Sequence, residues 1–305
     1  MNYIEFGTEK KKASSVVMGC MRIAGMETEQ VAELVECALE EGINAFDHAD
    51  IYGKGESELV FGRVLAQKPA LRDQMFLQSK CGIRPGYFDF SKEHILQSVE
   101  NSLSRLHTDH LDALLLHRPD ALMEPEEVAE AFGQLKAQGK VLDFGVSNMN
   151  AMQMQLLQQA IKQPLAANQV QLSAAHTCML DAGFNVNMNA EHGIMRDGGV
   201  LEYCRMNHIA VQAWSCLQYG FFEGTFLGSD RYPELNSVLE RIGQEQGVDK
   251  SAVALAWILR YPAQMQTIAG TTKVVRLRQL AKAADVVLSR QEWYEIYRAA
   301  GNVLP

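Results

Sequence analysis

The sequence predicts an α/β fold: a (β/α)8 TIM barrel with an N-terminal β-hairpin and an extra C-terminal helix, spanning residues 1–305 as one domain. Three observations predict it. Eight short apolar runs recur along the chain, each followed by a stretch of helical periodicity. These runs are too uniformly apolar to alternate between inside and outside, as expected of parallel strands covered by helices. Three in succession, NAFDHA, MFLQSK and LDALLLH, carry an ionisable residue near or at their ends: Asp47, Lys80 and His117. An α/β barrel gathers its active site from the carboxyl ends of its strands, so this placement is what such a site requires.

The elements follow in order. SSVVMGCM (Ser14 to Met21) reads as the first barrel strand, and the short basic run Lys10 to Lys12 before it as a solvated hairpin tip. TEQVAELVECALEEG places Val31, Leu34, Val35, Ala38 and Leu39 on one helical face, with Thr28 as N-cap and Gly42 as stop. NAFDHA is strand two, SELVFGRVLAQ a helix, MFLQSK strand three, and Ser91 opens the helix leading to LDALLLH, strand four. Pro125 in its first turn and Gly139 at its end bracket the next helix, an asymmetry that helices favour. VLDFGVSN, LAANQVQL, IAVQAWS and MQTIAG supply strands five to eight, with helices between them; SRQEWYEIYRAAG closes the chain. The irregular stretch is Ala174 to Gly199, rich in Asn and Gly and including His176, Phe184, Asn185, Met188 and His192. A connection of that length without structure of its own suggests either a flap over the carboxyl face or a surface excursion packed on the barrel rim.

Composition bounds the function. A chain of 305 residues with 47% hydrophobic content buries enough surface to need no disulfides. Its six scattered cysteines show no C-x-x-C spacing and are expected to be reduced thiols. A formal charge of -9 argues against general nucleic-acid affinity. Neither a secretory leader nor an apolar run of membrane-spanning length is present in the sequence, so a cytoplasmic protein without a membrane partner is expected. The absence of HExxH, Walker and Cys-rich spacings points to no metal.

Asp47 and Tyr52 in FDHADIYG, Lys80, and His117 in LLLHRPD, followed by GVSN (Gly145 to Asn148), NQVQ (Asn168 to Gln171), AWS (Ala213 to Ser215) and GTTKVVRL (Gly270 to Leu277), together resemble the aldo-keto reductase family. FDHADIYG with LLLHRPD and AWS is most similar to its bacterial YdhF-like oxidoreductase branch. The resemblance runs from the first strand to the last helix, and implies an NADPH-dependent oxidoreductase acting on a small carbonyl substrate.

It assigns Asp47, Tyr52, Lys80 and His117 as the catalytic residues, and the chemistry agrees. Hydride reduction puts negative charge on the carbonyl oxygen, which a proton donor must meet. Tyr52 is the expected donor, with the Lys80 ammonium favouring its phenolate. Asp47 would keep Lys80 charged, and neutral His117 would orient the carbonyl oxygen. By the same resemblance, Ser147, Asn148 and Gln169 would hold the nicotinamide carboxamide and Trp214 would stack on its ring. Ser215 and Leu217 would follow the pyrophosphate, with Cys216 replacing the proline common between them. Met21 and Arg22 would touch the cofactor from the first βα loop. Thr271, Lys273 and Arg276 resemble adenosine-phosphate anchors at a helix amino end, and Gln279 an adenine contact. His48 departs from the small hydroxyl residue usual after the Asp and reads as a packed histidine.

Two rivals remain. A metal-dependent barrel hydrolase or isomerase using Asp47, His48, Asp50 and His117 leaves Lys80 and the GVSN, NQVQ and AWS segments without a role. A nucleotide-binding regulatory subunit that senses redox state with little turnover is opposed by an intact tetrad.

Overall fold

The computed structural model describes residues 1–305 and forms a closed barrel of eight parallel strands. A hairpin, β1 (Tyr3–Phe6) and β2 (Lys11–Ser14), precedes it. The barrel strands are β3 (Val16–Gly19), β4 (Ala45–Asp47), β5 (Phe76–Cys81), β8 (Leu111–Leu116), β9 (Val141–Ser147), β10 (Leu165–Gln171), β11 (Ala210–Trp214) and β12 (Met265–Ala269), with β12 closing on β3. All eight expected strands are present. A small second hairpin, β6 (Ile83–Arg84) with β7 (Tyr87–Phe88), extends from the end of β5 and was not expected.

Helices cover the outside, and their ends follow from local chemistry. Helix α1 (Thr28–Glu40) starts one residue earlier than expected: Glu27, rather than Thr28, is the N-cap, in a reciprocal box with Gln30. In α3 (Lys92–Leu106) Ser91 accepts from the His94 N–H, as expected. Helix α2 (Glu56–Gln67) meets α3 at Gly62, where a Cβ would lie 1.9 Å from the Arg105 carbonyl oxygen. Only glycine permits that approach.

The interior of the barrel is layered. At its amino end Phe6 and Ala13 of the hairpin plug the bore against Val17, Ala45, Phe76 and Ala210, with the Phe6 and Phe76 rings 4.6 Å apart. Lys10 and Lys12 are exposed as a hairpin tip would be, but Lys11, only partly exposed, pairs with buried Asp112 at 2.5 Å and ties the hairpin to the barrel floor. At the other end of the chain, α11 (Arg290–Ala299) is pinned to α9 (Lys250–Leu259) by two tryptophans. Trp257 and Trp293 stack at 4.9 Å, and each indole N–H donates to the other's backbone carbonyl. None of the helices is long and apolar enough to cross a membrane.

The segment after β10 is more ordered than its composition suggests. It contains α6 (Cys178–Phe184) and a 3-10 turn at Glu191–Gly193. It is fastened to the carboxyl-terminal helix: Tyr297 donates to Asp181 at 2.7 Å, Phe184 packs on Tyr294 and Tyr297, and Thr177 and the Ala174 carbonyl both bond Asn302. Of the two readings, flap and rim-packed excursion, the fastened part from Ala174 to Phe184 is the second, a buttress between barrel and α11. Asn185 is fully buried, and its backbone and side-chain N–H groups both reach the Asp181 carbonyl.

Candidate active site

The pairing of β4 with β5 sets Asp47 beside Gln78 and leaves Lys80 two residues further up the same face. Lys80 has no solvent exposure. Its Nζ donates to Asp47 Oδ1 at 2.7 Å and to the His48 carbonyl at 2.6 Å, and lies 4.9 Å from the centre of the Tyr52 ring. Tyr52 opens a tight turn after β4 in which Gly53 and Lys54 both take positive φ, 58° each. At Gly53 a Cβ would also fall 2.4 Å from that of Ala24, so the turn that aims Tyr52 requires glycine there. His117, just beyond β8, meets the Tyr52 ring edge-on at 5.9 Å. The four residues singled out as catalytic are therefore neighbours.

Their electrostatics are mutually dependent. Burial works to strip the proton from Lys80, but the charges of Asp47 and then Tyr52 outweigh it and raise its pKa above the ordinary lysine value. His117 is held well below the ordinary imidazole range by burial, and further by the Lys80 and Arg118 charges, so it is neutral. For Tyr52 the outcome differs from expectation. Burial raises the phenol's pKa, and the opposing pull of Lys80 reduces that rise without reversing it. Tyr52 thus rests as a protonated phenol across neutral pH.

Residues expected around a nicotinamide form one hydrogen-bonded chain across the ends of β9, β10 and β11. Ser147 donates to the Gln169 carbonyl at 2.9 Å, Asn148 to the Ser147 hydroxyl at 2.7 Å, and Trp214 to the Asn148 side-chain oxygen at 3.1 Å. Asn148 and Ser215 sit at φ 56° and 51°, strained backbone of the kind that gathers at functional sites. Gln169 departs from a purely cofactor-facing role, because its Nε2 donates inward to Asp47 Oδ1 at 2.9 Å and Gln212 Oε1 at 3.0 Å.

The expected phosphate residues gather at the corner between β12 and α10 (Val274–Ala281). Arg22 reaches the Gly270 carbonyl at 3.4 Å, with Met21 exposed beside it. The Thr271 hydroxyl accepts from the N–H of Lys273, the N-cap of α10. Lys273 and Arg276 are exposed and make no ion pair, whereas Arg278 and Lys282 further along are tied to Glu40 and Glu41. Gln279 lies deeper in the same helix, away from its amino end. After β11, Ser215 donates to Gln218 at 2.7 Å, and the Leu217 carbonyl accepts from Thr225.

Several residues escaped the sequence reading. The Arg118 guanidinium lies over Trp214 at 5.5 Å and Phe221 at 5.7 Å and makes no ion pair. Phe221 and Phe222, both exposed, come from the loop after β11 and pack against Trp214. Position alone could have flagged Arg118, which directly follows His117. Gln78, Gln212 and Gln266 lie in the barrel interior; their signal was a lone glutamine inside an otherwise apolar strand. His48 is the packed residue it was read as: fully buried, 4.6 Å edge-on to Phe61, and held neutral by burial and then Lys80, its pKa lowered to about 3.

One rim of the eight-stranded barrel thus carries a buried Asp–Lys pair, a tyrosine and a histidine. Residues 15–300 match the model of the aldo/keto reductase family, and the chain belongs to that family. It is 37% identical over 307 residues to a 6-dehydroglucose reductase of Agrobacterium fabrum, covering 96% of each chain. To the oxidoreductase YdhF of Escherichia coli it is 36% identical over 299 residues, covering 94% of this chain and 93% of that one. Similarity to a probable aldo-keto reductase of Glycine max is lower, 26% over 325 residues, in keeping with the YdhF-like branch. Among solved structures, an aldo-keto reductase from Klebsiella pneumoniae in complex with NADPH superposes with a TM-score of 0.80 at 25% identity, covering 100% of this chain and 96% of that one.

Proposed function

We propose that this chain is an NADPH-dependent reductase that converts an aldehyde or ketone carbonyl to an alcohol, with Tyr52 as proton donor. The observation that carries the reading is the Lys80 ammonium, sealed from solvent, bonded to Asp47 and set against Tyr52, with His117 at the edge of the same ring.

The site's donors fit the cofactor. Two cations without carboxylate partners at the amino end of α10 suit a phosphate monoester, and Ser147, Asn148 and Gln169 suit an amide. When bound, NADPH supplies the hydride. Tyr52 gives its proton to the carbonyl oxygen as negative charge develops there. Lys80 stands where the phenolate forms, so the charge left on Tyr52 is met by a fixed ammonium instead of reorganising water. Asp47 keeps that ammonium charged and aimed. His117, neutral, donates to the carbonyl oxygen without competing for the proton. Trp214 offers an aromatic face, and Arg118 and Phe221 line the mouth with donors and apolar surface. Such a lining suits a polar carbonyl compound, and the sugar aldehyde for which the Agrobacterium relative is named is the first substrate to try.

The test is a panel of aldehydes, ketones and quinones, including 6-dehydroglucose, followed by NADPH absorbance. Wild-type protein should turn over at least one class. Tyr52→Phe should lose about 100-fold or more in kcat while its NADPH affinity, by fluorescence titration, stays within about twofold, since the lost hydroxyl is asked to serve the proton step alone. A Tyr52→Phe enzyme near wild-type turnover would sink the mechanism. Wild-type protein that binds NADPH yet reduces nothing would favour the regulatory-subunit reading.

A further inference from the structure

Four glutamines form one hydrogen-bonded network in the barrel interior, two of them bonded directly to Asp47. Asp47 Oδ1 accepts from Gln78 Nε2 at 2.6 Å and Gln169 Nε2 at 2.9 Å, besides Lys80. Both glutamines also donate from Nε2 to Gln212 Oε1, at 3.0 Å each. Gln212 in turn donates to Gln78 Oε1 and to Gln266 Oε1, both at 2.9 Å. Gln266 donates to the Ser14 backbone carbonyl at 2.8 Å, on the hairpin strand β2. The register explains the meeting: Gln169, Gln212 and Gln266 are side by side on β10, β11 and β12, and Asp47 and Gln78 are side by side on β4 and β5.

An amide can be turned either way round, and its bonding partners decide which. Here both ends of the network are acceptors only, an ion-paired carboxylate and a backbone carbonyl. Ser14 therefore fixes Gln266 with its oxygen toward Gln212. That fixes the Gln212 N–H groups toward Gln266 and Gln78, and its oxygen toward Gln78 and Gln169. Turning any one amide over would set two oxygens face to face in a buried site, which is costly. Gln212 uses all four of its hydrogen-bonding positions and is the one member bonded to the other three. Leucine in its place would fill the same volume but leave the amide groups of Gln78, Gln169 and Gln266 that face it without these partners, so what the amide adds is direction.

We infer that Gln212 is a positioning residue for the reductase: it holds Gln169 with both N–H hydrogens turned inward, so that the Gln169 amide oxygen is presented to the cofactor carboxamide, and through Gln78 it helps keep Asp47 on Lys80. The inference rests on the functional reading above. Gln212 touches neither cofactor nor substrate in this arrangement and acts only through Gln169, Gln78 and Asp47. A carboxamide N–H₂ finds an acceptor in the Gln169 oxygen; with Gln169 released and turned over, it would find a donor.

Two substitutions test this. Gln212→Leu removes the amide at nearly constant volume and should weaken NADPH binding, measured by fluorescence titration, by roughly tenfold. It should lower kcat as well, with little change in the KM for the carbonyl substrate. Gln212→Glu gives a second readout. Protonated, the glutamic acid still donates one hydrogen bond and accepts others; ionised, it can only accept, and it adds a negative charge near Asp47. NADPH affinity and kcat of Gln212→Glu should therefore approach wild type at acidic pH and fall as pH rises, a profile absent from the wild type. A residue that merely filled space would shift the melting temperature and leave both pH profiles unchanged. If Gln212→Leu does not fold, the pH profile of Gln212→Glu decides alone. Wild-type protein that binds NADPH and reduces carbonyls, with the folded variants matching its affinity, kcat and pH profiles, overturns the positioning role. Wild-type protein that does neither overturns the functional reading beneath it.

Discussion

Asp112, at the amino end of β8, and Asp47, at the carboxyl end of β4, are equally buried and each holds a lysine, yet the two ends of the barrel use them differently. Asp112 collects partners from three separate segments: Lys11 on the hairpin, Arg72 at 3.0 Å from the 3-10 turn Pro69–Gln74, and the Leu77 N–H of β5 at 2.7 Å. Its lysine is about one-third exposed, so water shares that charge. Two of these bonds tie covering pieces to the floor, and the third joins neighbouring barrel strands. Asp47 takes its partners only from inside the bore, and its lysine has no contact with water. Lys80 is also shared with an ionisable neighbour, Tyr52, while Arg22, Arg118, Lys273 and Arg276 at the same end have no carboxylate partner. A buried ion pair is therefore no mark of function by itself. A sealed cation shared with an ionisable hydroxyl, amid unpaired cations, is a better one.

The largest effects should come from exchanging the damage between the two ends. Lys80→Met should abolish reduction by about 100-fold or more, because the phenolate on Tyr52 would form without its counter-charge. Arg72→Met should instead cost stability, on the order of 3 kcal/mol, by leaving buried Asp112 short of a partner, with kcat per folded molecule nearly unchanged. Denaturant melts and steady-state rates on both variants measure the separation. Comparable losses of turnover in the two would break the division of labour drawn here.

A smaller effect sharpens the contrast in unpaired cations. Arg276→Glu should weaken NADPH at least about tenfold more than NADH, the scale of one lost charge-assisted hydrogen bond to phosphate. Arg278→Glu, on the same helix but already committed to Glu40 and Glu41, should not discriminate between the two cofactors. Equal loss of both in Arg276→Glu places the phosphate elsewhere.

What the sequence made legible follows the same geometry. Strand and helix periods are local, so the eight strands could be placed, and a residue at a strand's end keeps its meaning once the barrel closes: Asp47, Lys80 and His117 were found that way. Gln212 could not be. A glutamine in the middle of IAVQAWS is a polar interruption until closure brings β4 and β5 across the bore from β11 and supplies its partners. The sign of the Tyr52 shift was hidden too, because the pull of Lys80 can be guessed from residue types whereas the larger burial effect depends on how tightly the rim packs. The stretch 174–199 misled by composition: its Asn and Gly residues suggested looseness, but Asp181 and Phe184 had partners more than a hundred residues away, on α11.

The smallest expected effect concerns a buried carboxyl that neither end of the barrel has paired. Asp50 lies just past β4, its Oδ1 buried without a hydrogen-bond partner, while nearby Glu58 takes Arg105 at 2.6 Å. Burial, and then the Glu58 charge, raise the Asp50 pKa to about 7 from the ordinary 3.8. Below the ordinary value the carboxyl is protonated in the folded and unfolded chains alike and favours neither. Between pH 4 and 7 the unfolded chain releases the proton first, so folding stability falls as pH rises and levels off once the folded protein has ionised too. Asp50→Asn removes that titration. The variant's advantage in melting temperature over wild type should therefore grow from pH 4 to pH 8, reaching about 4 °C, and a difference that does not change with pH would show that Asp50 carries no buried proton. If Lys80 already served Asp50 as it serves Asp47, the advantage would vanish; its presence would mean that the one sealed cation is committed to Asp47 and Tyr52.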